Sequence, residues 1–350
     1  MEARRGEGFT RPNPPVGAVL VKNGKCIGKG YHHAAGQPHA EVEAFEDAKA
    51  NGADVIGATL YVTLEPCSTQ GRTPPCTDRI LREGVKRVVI GCLDMNPKHA
   101  GRGVGVLRDA GIEVDVVDNQ IINTLIAPFH KWITTGLPFI TLKMAQSQDG
   151  FIGVVGKRVM ISGEKSLARV QDMRRRADAV MVGVGTVLAD NPRLLCRKKT
   201  ARKQQLWRVI VDTWGRTPLE STVCTDDAKG RTVIAVTAKC PAKRRREFEK
   251  AGVSVWTLPQ RKGHVSLPAL VKRMGQEGWL HVLCEGGGEL AGALVRDGLV
   301  DELHLVTSPR KLGKGVRTFG TEKKDVEGKF KWGKSEKVGK DVWRVGIGTM

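Results

Sequence analysis

The chain has 350 residues, 40% of them hydrophobic and 27% charged, with a formal net charge of +20. That length exceeds one ordinary core and predicts two domains, while the composition excludes a disordered chain. No apolar run reaches the ~18–20 residues of a membrane helix, and "MEARRGEGF" lacks a signal peptide's apolar stretch, so a cytoplasmic location is expected.

Eight cysteines (26, 67, 76, 92, 196, 224, 240, 284) are scattered without a CxxC pair, a pattern of reduced thiols plus at most a metal pair. The charge is uneven. Residues 1–120 hold 15 basic and 15 acidic side chains, and the remainder holds 42 against 22. A basic second half suits phosphorylated ligands or nucleic acid. Much of the excess lies in "CRKKTARKQQLWR" (196–208) and "AKRRREFEK" (242–250), which read as a solvated loop and helix face.

In chain order, "PVGAVLV" and "KCIGKGYH" predict a hairpin around Asn23-Gly24. A helix from Pro38 to about Ala50 follows, then a strand at 58–64, a helix near 75–83 and a strand at 86–94. A helix near 103–110 and a strand at 112–117 complete a three-layer α/β pattern. Residues 118–137 read as a connecting helix, giving domains of 1–120 and 138–350 joined by a linker at 121–137. The second domain alternates again. Strands are expected at 139–145, "ADAVMVGVGT", "RVIVD", "TVIAVT", "VSVWTL", "LHVLCEGGG" and "DELHLVTSP", with helices at 163–176, 241–251, 267–277 and 289–297. The expected class is α/β throughout.

Two stretches carry chemistry. "PHAEVEAF" (38–45) heads a helix, and "LEPCSTQGRTPPC" (64–76) holds two cysteines that each follow a proline. His39, Cys67 and Cys76 are the candidate zinc ligands. Zinc takes imidazole and thiolate, and a catalytic site keeps three protein ligands with a fourth position open for an acidified water. Glu41 is the expected proton carrier. Pro38 is expected in the first helical turn, Pro75 at the start of a helix bearing Cys76, and a helix dipole at both cysteines. The pattern H-x-E…P-C is that of zinc nucleobase deaminases, but here the cysteines are spaced C-x8-C in place of C-x2-C.

With the expanded spacing, "PNPPVGAVLV", "HAEVEA", "TLYVTLEPCSTQGRTPPC" and "AGRGVGVLRDAGIEV" resemble the bifunctional riboflavin-biosynthesis deaminase/reductase family. "PFITLKMAQSQDG", "DAVMVGVGTVLADNPRL", "RVIVD" and "EGGGELAGALVRDGLVDEL" extend the resemblance over nearly the whole chain. It implies a cytidine-deaminase-like domain followed by a dihydrofolate-reductase-like domain. The first would deaminate 2,5-diamino-6-ribosylamino-4(3H)-pyrimidinone 5′-phosphate with Zn2+, and the second would reduce the ribosyl group to ribityl with NADPH.

Carried over residue by residue, the resemblance implies cofactor contacts at Ala145, Met160, Thr186, Asp190, Thr213, Gly287, Gly288, Glu289, Leu290, Ala291, Gly292 and Ala293. It implies substrate contacts at Asn13, Arg158, Arg174, Leu194, Arg197 and Glu285, the arginines suiting the 5′-phosphate. Asp149 is the nearest proton donor in the reductase half but reads as a turn residue. A homo-oligomer is implied by the family alone.

The chain departs from the family at Thr69-Gln70, where two histidines are usual, and at Gln148, Arg158 and Met160. Two alternatives stand beside this reading: a nucleic-acid deaminase, and a lone deaminase whose second half serves only dimerisation.

Overall fold

The computed structural model describes residues 1–71, 74–97, 99–154, 159–197, 206–320 and 326–349, in two compact units, Met1–Leu137 and Pro138–Met350. Among the described residues no helix is long and apolar enough to cross a membrane.

In the first unit, β1 (Gly17–Lys22) and β2 (Lys25–Tyr31) form the hairpin around Asn23-Gly24, whose φ angles are 52° and 72°, the backbone of a primed turn. There follow α1 (Ala40–Ala50), β3 (Thr59–Leu64), α2 (Cys76–Glu83), β4 (Arg87–Cys92), α3 (Arg102–Asp109), β5 (Glu113–Val116) and α4 (Gln120–Thr135). The sheet runs β2-β1-β3-β4-β5, antiparallel across β1 and parallel from β3 onward. Leu20, Leu60, Val88 and Ile90 from the strands pack on Ala44, Phe45, Ile80 and Leu107 from the helices.

The seat of α1 explains the "GKG" of β2. A Cβ at Gly28 would stand 2.4 Å from the Ala44 carbonyl oxygen, and one at Gly30 would stand 2.5 Å from that of Ala40. Residues two apart share a strand face, so a strip without side chains lets the helix lie directly on the strand. One expectation needs correcting. His39 is the N-cap, with extended φ and ψ of −74° and 163°, so Pro38 lies outside the first helical turn. An N-cap residue keeps non-helical backbone, which shifts the proline one position out.

The second unit opens with β6 (Phe139–Ser147), β7 (Phe151–Gly153), α5 (Glu164–Arg176), β8 (Ala179–Gly183), α6 (Val184–Asp190), β9 (Trp207–Val211) and α7 (Thr222–Thr225). Then come β10 (Thr232–Val236), α8 (Ala242–Lys250), β11 (Ser254–Thr257), a ribbon of β12 (Gln260–Arg261) and β13 (His264–Val265), and α9 (Leu267–Gln276). The chain ends with β14 (His281–Cys284), α10 (Gly288–Arg296), β15 (Glu302–Ser308), β16 (Val316–Arg317), β17 (Phe330–Trp332), β18 (Glu336–Val338) and β19 (Asp341–Gly348).

The main sheet runs β11-β10-β9-β8-β14-β6-β15-β19-β17, with β18 also on β19. Every pairing from β11 to β15 is parallel, and the β19 pairings are antiparallel. A row of polar side chains crosses this sheet. His281 Nε2 lies 2.9 Å from Thr141 Oγ1, Thr141 donates to Glu302 at 3.3 Å, His304 lies 2.9 Å from Glu302, and Trp343 donates to His304 at 2.9 Å.

Several stretches differ from the sequence reading, among them the short β7, α7, β12, β13 and β16, which it lacked. "VGVGT" is not one strand: the chain turns into α6 at Val184. The three C-terminal strands were not anticipated. The basic run at 242–250 is a helix that buries only Phe248, and Arg244 folds back to donate to Gly215 O at 3.0 Å and Thr217 O at 2.5 Å.

Candidate metal centre and nucleotide cavity

His39 enters from the head of α1, Cys67 from the coil after β3, and Cys76 from the first residue of α2. His39 Nδ1 lies 3.2 Å from Cys76 Sγ and 3.6 Å from Cys67 Sγ, and all three ligand atoms fall within 4.8 Å of one another. Nitrogen and sulfur ligands at ~2.1 and ~2.3 Å from one tetrahedral zinc stand roughly 3.6 Å apart. The triangle therefore fits the metal. Among the described residues no fourth His, Cys, Asp or Glu joins the cluster, the three-ligand set of a catalytic zinc.

The expected helix start is found at Cys76, the first residue of α2, but its thiolate is not favoured there, and Cys67 lies on no helix. Instead the backbone N–H of Cys76, at the start of α2, donates to Cys67 Sγ at 3.3 Å. The Cys76 thiol and the His39 imidazole hold Cys67 well below the usual thiol range, while Cys76, hydrogen-bonded to Cys67 and buried, is pushed up. His39 is raised in turn by its hydrogen bond to Cys67. Glu41 is 3% exposed and hydrogen-bonds Cys76; burial first, then the Cys67 charge, pushes its carboxyl up to about 6.

Glu65, which the sequence reading passed over, holds the cysteine loop in place. Its buried carboxylate accepts backbone N–H groups from Asp94 (3.2 Å), Gly101 (2.9 Å), Gly103 (2.9 Å) and Val104 (3.2 Å). The negative side chain thus sits at the positive end of α3. A Cβ at Gly103 would stand 2.2 Å from Pro66 O, so α3 packs on the residue before Cys67 only because that position is glycine. The signal was the acid in "LEPC", but its partners are backbone groups some 30 residues on. Asn13 lies before β1 with its amide 3.0 Å from His32 Nε2. Thr69 and Gln70 are exposed.

In the second unit a cavity of about 1020 Å³ opens at the carboxyl ends of β14, β8 and β9, where ligands of parallel α/β sheets bind. It is lined by Thr186, Asp190, Thr213, Gly287, Gly288, Glu289, Leu290 and Ala293. Gly287 is the N-cap of α10, whose free N–H groups suit a phosphate. The cavity has walls that the sequence reading missed. Arg216 lies 5.2 Å over the Trp214 ring, His264 meets Trp214 edge-on at 5.4 Å, and Arg261 and Lys262 come from the β12–β13 ribbon.

Other expected contacts lie elsewhere. Ala145 is on β6, Met160 is exposed, and Ala291 and Gly292 are buried within α10. Leu194 is 2% exposed in the hydrophobic core, so its side chain faces no ligand. Arg197 is exposed, with its backbone N–H on Gln171. Arg158 lies outside the described residues.

Arg174 and Glu285 come together as a bidentate pair of 2.6 and 2.9 Å, with a further Arg174 bond to Leu195 O at 3.0 Å. These bonds occupy the fork expected for a phosphate. Lys143, midway along β6, and Glu285, just after β14, follow the Leu142–Cys284 pair in register and complete the cluster; burial lowers the Lys143 pKa and Glu285 opposes that. Asp149 is structural. It accepts from Ser147 (2.5 Å), Leu312 (3.1 Å) and Gly313 (2.7 Å), and the Ser147 bond leads in lowering it to about 2.

Known proteins match the same division. Residues 1–92 match the cytidine and deoxycytidylate deaminase zinc-binding region, and residues 138–343 match the RibD C-terminal domain. Riboflavin biosynthesis protein RibD of Aquifex aeolicus is 41% identical over 97% of this chain and 94% of its own. That of Escherichia coli is 38% identical over 97% and 95%. The solved structure of a diaminohydroxyphosphoribosylaminopyrimidine deaminase/5-amino-6-(5-phosphoribosylamino)uracil reductase from Thermotoga maritima superposes with a TM-score of 0.87 at 35% identity, covering 99% of this chain and 96% of that one. With a three-ligand zinc triangle in one unit and a strand-end cavity in the other, the chain belongs to the RibD family of riboflavin-biosynthesis enzymes, which join a deaminase domain to a reductase domain.

Proposed function

We propose that the first unit hydrolyses the 2-amino group of 2,5-diamino-6-ribosylamino-4(3H)-pyrimidinone 5′-phosphate, releasing ammonia, and that the second reduces the ribosyl group of the product to ribityl with NADPH. The observation that carries the first step is the His39, Cys67 and Cys76 triangle with buried Glu41 hydrogen-bonded against it. Zinc held there supplies an acidified water as nucleophile. Glu41, its carboxyl pushed up to about 6, would carry one proton from that water to the ring nitrogen and a second, from the new hydroxyl, to the departing amine. Asn13 reads the pyrimidine edge. The likeness to the Thermotoga maritima deaminase/reductase supports both substrates.

In the second unit a nicotinamide dinucleotide supplies hydride, and the residues position it. Gly287 and Gly288, at the head of α10, would hold its diphosphate. Val211, at the end of β9, lines the same cavity two strand spacings from β14, roughly 10 Å. There the acid after β9, Asp212, is fully buried and outside the cavity lining, with Oδ2 accepting from Thr217 N (2.7 Å) and Thr217 Oγ1 (2.8 Å). Arg216 and Lys262 stand in the lining instead, and cations there favour the 2′-phosphate of NADPH. Lys143 and the Arg174–Glu285 pair would contact the sugar.

The test is one assay on the zinc-loaded full chain with the diaminopyrimidinone ribotide and NADPH, following ammonia and nicotinamide absorbance separately. Ammonia release with equimolar NADPH oxidation is expected. Ammonia alone would refute the second step and return the dimerisation alternative; neither signal would refute both.

A further inference from the structure

Behind Asn13, beside the metal triangle, lies a hydrogen-bonded chain through His32, which has no part in the steps above. Asn13 closes a turn with its backbone N–H on Thr10 O at 2.9 Å, and its side-chain amide lies 3.0 Å from Nε2 of His32. His32 follows β2, is 3% exposed, and donates its backbone N–H to Val16 O at 2.9 Å. Its other ring nitrogen, Nδ1, lies 3.0 Å from Pro38 O. The ring also stands edge-on to that of His39, with centroids 5.4 Å apart.

The partners dictate the direction of each bond. A carbonyl oxygen only accepts, so Nδ1 of His32 carries the proton. In the neutral ring Nε2 then carries a lone pair, and the NH2 group of Asn13, which faces it, donates to it. An amide is planar, so this choice turns Oδ1 away from His32 as an acceptor. We infer that His32 is a positioning residue whose tautomer locks the Asn13 amide, so that Oδ1 accepts an N–H of the aminopyrimidine. The inference rests on reading Asn13 as a substrate contact.

The lock has a chemical consequence. An edge bearing an amine hydrogen meets an acceptor, whereas an edge bearing a carbonyl meets oxygen against oxygen. Amino and oxo pyrimidines are thereby distinguished, a mismatch of buried polar groups that specificity can exploit. Because Pro38 directly precedes His39, the same ring joins the loop that reads the base to the loop that holds the metal.

The experiment uses the full-length zinc-loaded enzyme. Long-range proton–nitrogen NMR, with the His32 signals assigned from His32→Gln, is expected to show Nδ1 protonated and Nε2 bare. A proton on Nε2 overturns the inference. Kinetics of Asn13→Ala, His32→Phe and the double variant supply the second arm. Each single change is expected to raise KM for the ribotide roughly tenfold or more with zinc content unchanged, and the double to be no worse than Asn13→Ala. His32→Gln, able to donate to Pro38 and accept from Asn13, should recover part of the loss. Additive losses, or zinc loss in step with KM, would overturn the lock alone. An unchanged KM in Asn13→Ala would overturn the reading of Asn13 and the lock with it.

Discussion

The metal triangle is made of side chains: three ligands and one carboxylate, converging from the head of one helix, a coil and the start of a second helix. The cavity of the second unit is made largely of backbone turns at the ends of three parallel strands, with side chains as its rim. A site of the first kind fails when one atom is removed. One of the second kind tolerates substitution until a strand end moves. The departures from the family at Gln148 and Met160 lie outside the cavity lining, as that contrast would have it.

The contrast is sharpest at Glu41. Glu41→Gln keeps shape and removes the base, so deamination should fall by about 10²–10⁴-fold with zinc content and NADPH oxidation on deaminated substrate unchanged; a matching loss of reduction would break the division between the units. Glu285→Gln is the counterpart. It strips half of a largely buried pair with Arg174, which should cost about 3–5 kcal/mol in the second unit. Calorimetry should show that unit's transition falling while ammonia release persists.

Glu65→Ala tests whether a side-chain site also needs a backbone frame. Four N–H groups lose their acceptor, so the first unit should lose about 3 kcal/mol and bind zinc more weakly. Unaltered zinc affinity would mean the ligands hold themselves. The smallest effect is acid. Burial pushes His281 down to about 4 from an ordinary 6.5, so the unfolded chain binds the proton more readily. Its contribution is whole above pH 6.5 and is lost as pH falls towards 4, amounting to about 2 kcal/mol by pH 5. Melting at pH 7 and pH 5 should show the second unit losing more in the native chain than in His281→Asn.

What could be read in the sequence follows the same divide. His39, Glu41, Cys67 and Cys76 were legible because metal chemistry needs those residue types at a recognisable spacing. Glu65 was not, since its partners are main-chain groups that no residue type announces. Trp214, Arg216 and Lys262 gather only when the ends of β9 and the β12–β13 ribbon meet, and Lys143 acquires its setting from the β6–β14 register. The seven-residue α6 is too short for its period to separate from the apolar strand before it. The last three strands are diluted by lysine and glycine, as sheet edges often are.

The Glu65 clamp also bears on how the enzyme meets its metal. In small zinc domains the ion is the fold, and chelation unravels the chain. Here the cysteine loop is tied to α3 by the Glu65 carboxylate and to α2 by the Thr77 N–H on Cys67 O at 3.2 Å, neither of which uses a ligand atom. A chelator should therefore empty this centre without unfolding it, and the apoenzyme should reload at the pace of metal diffusion and ligand deprotonation, with no refolding in between. An enzyme built this way can sit idle through zinc scarcity and resume when supply returns.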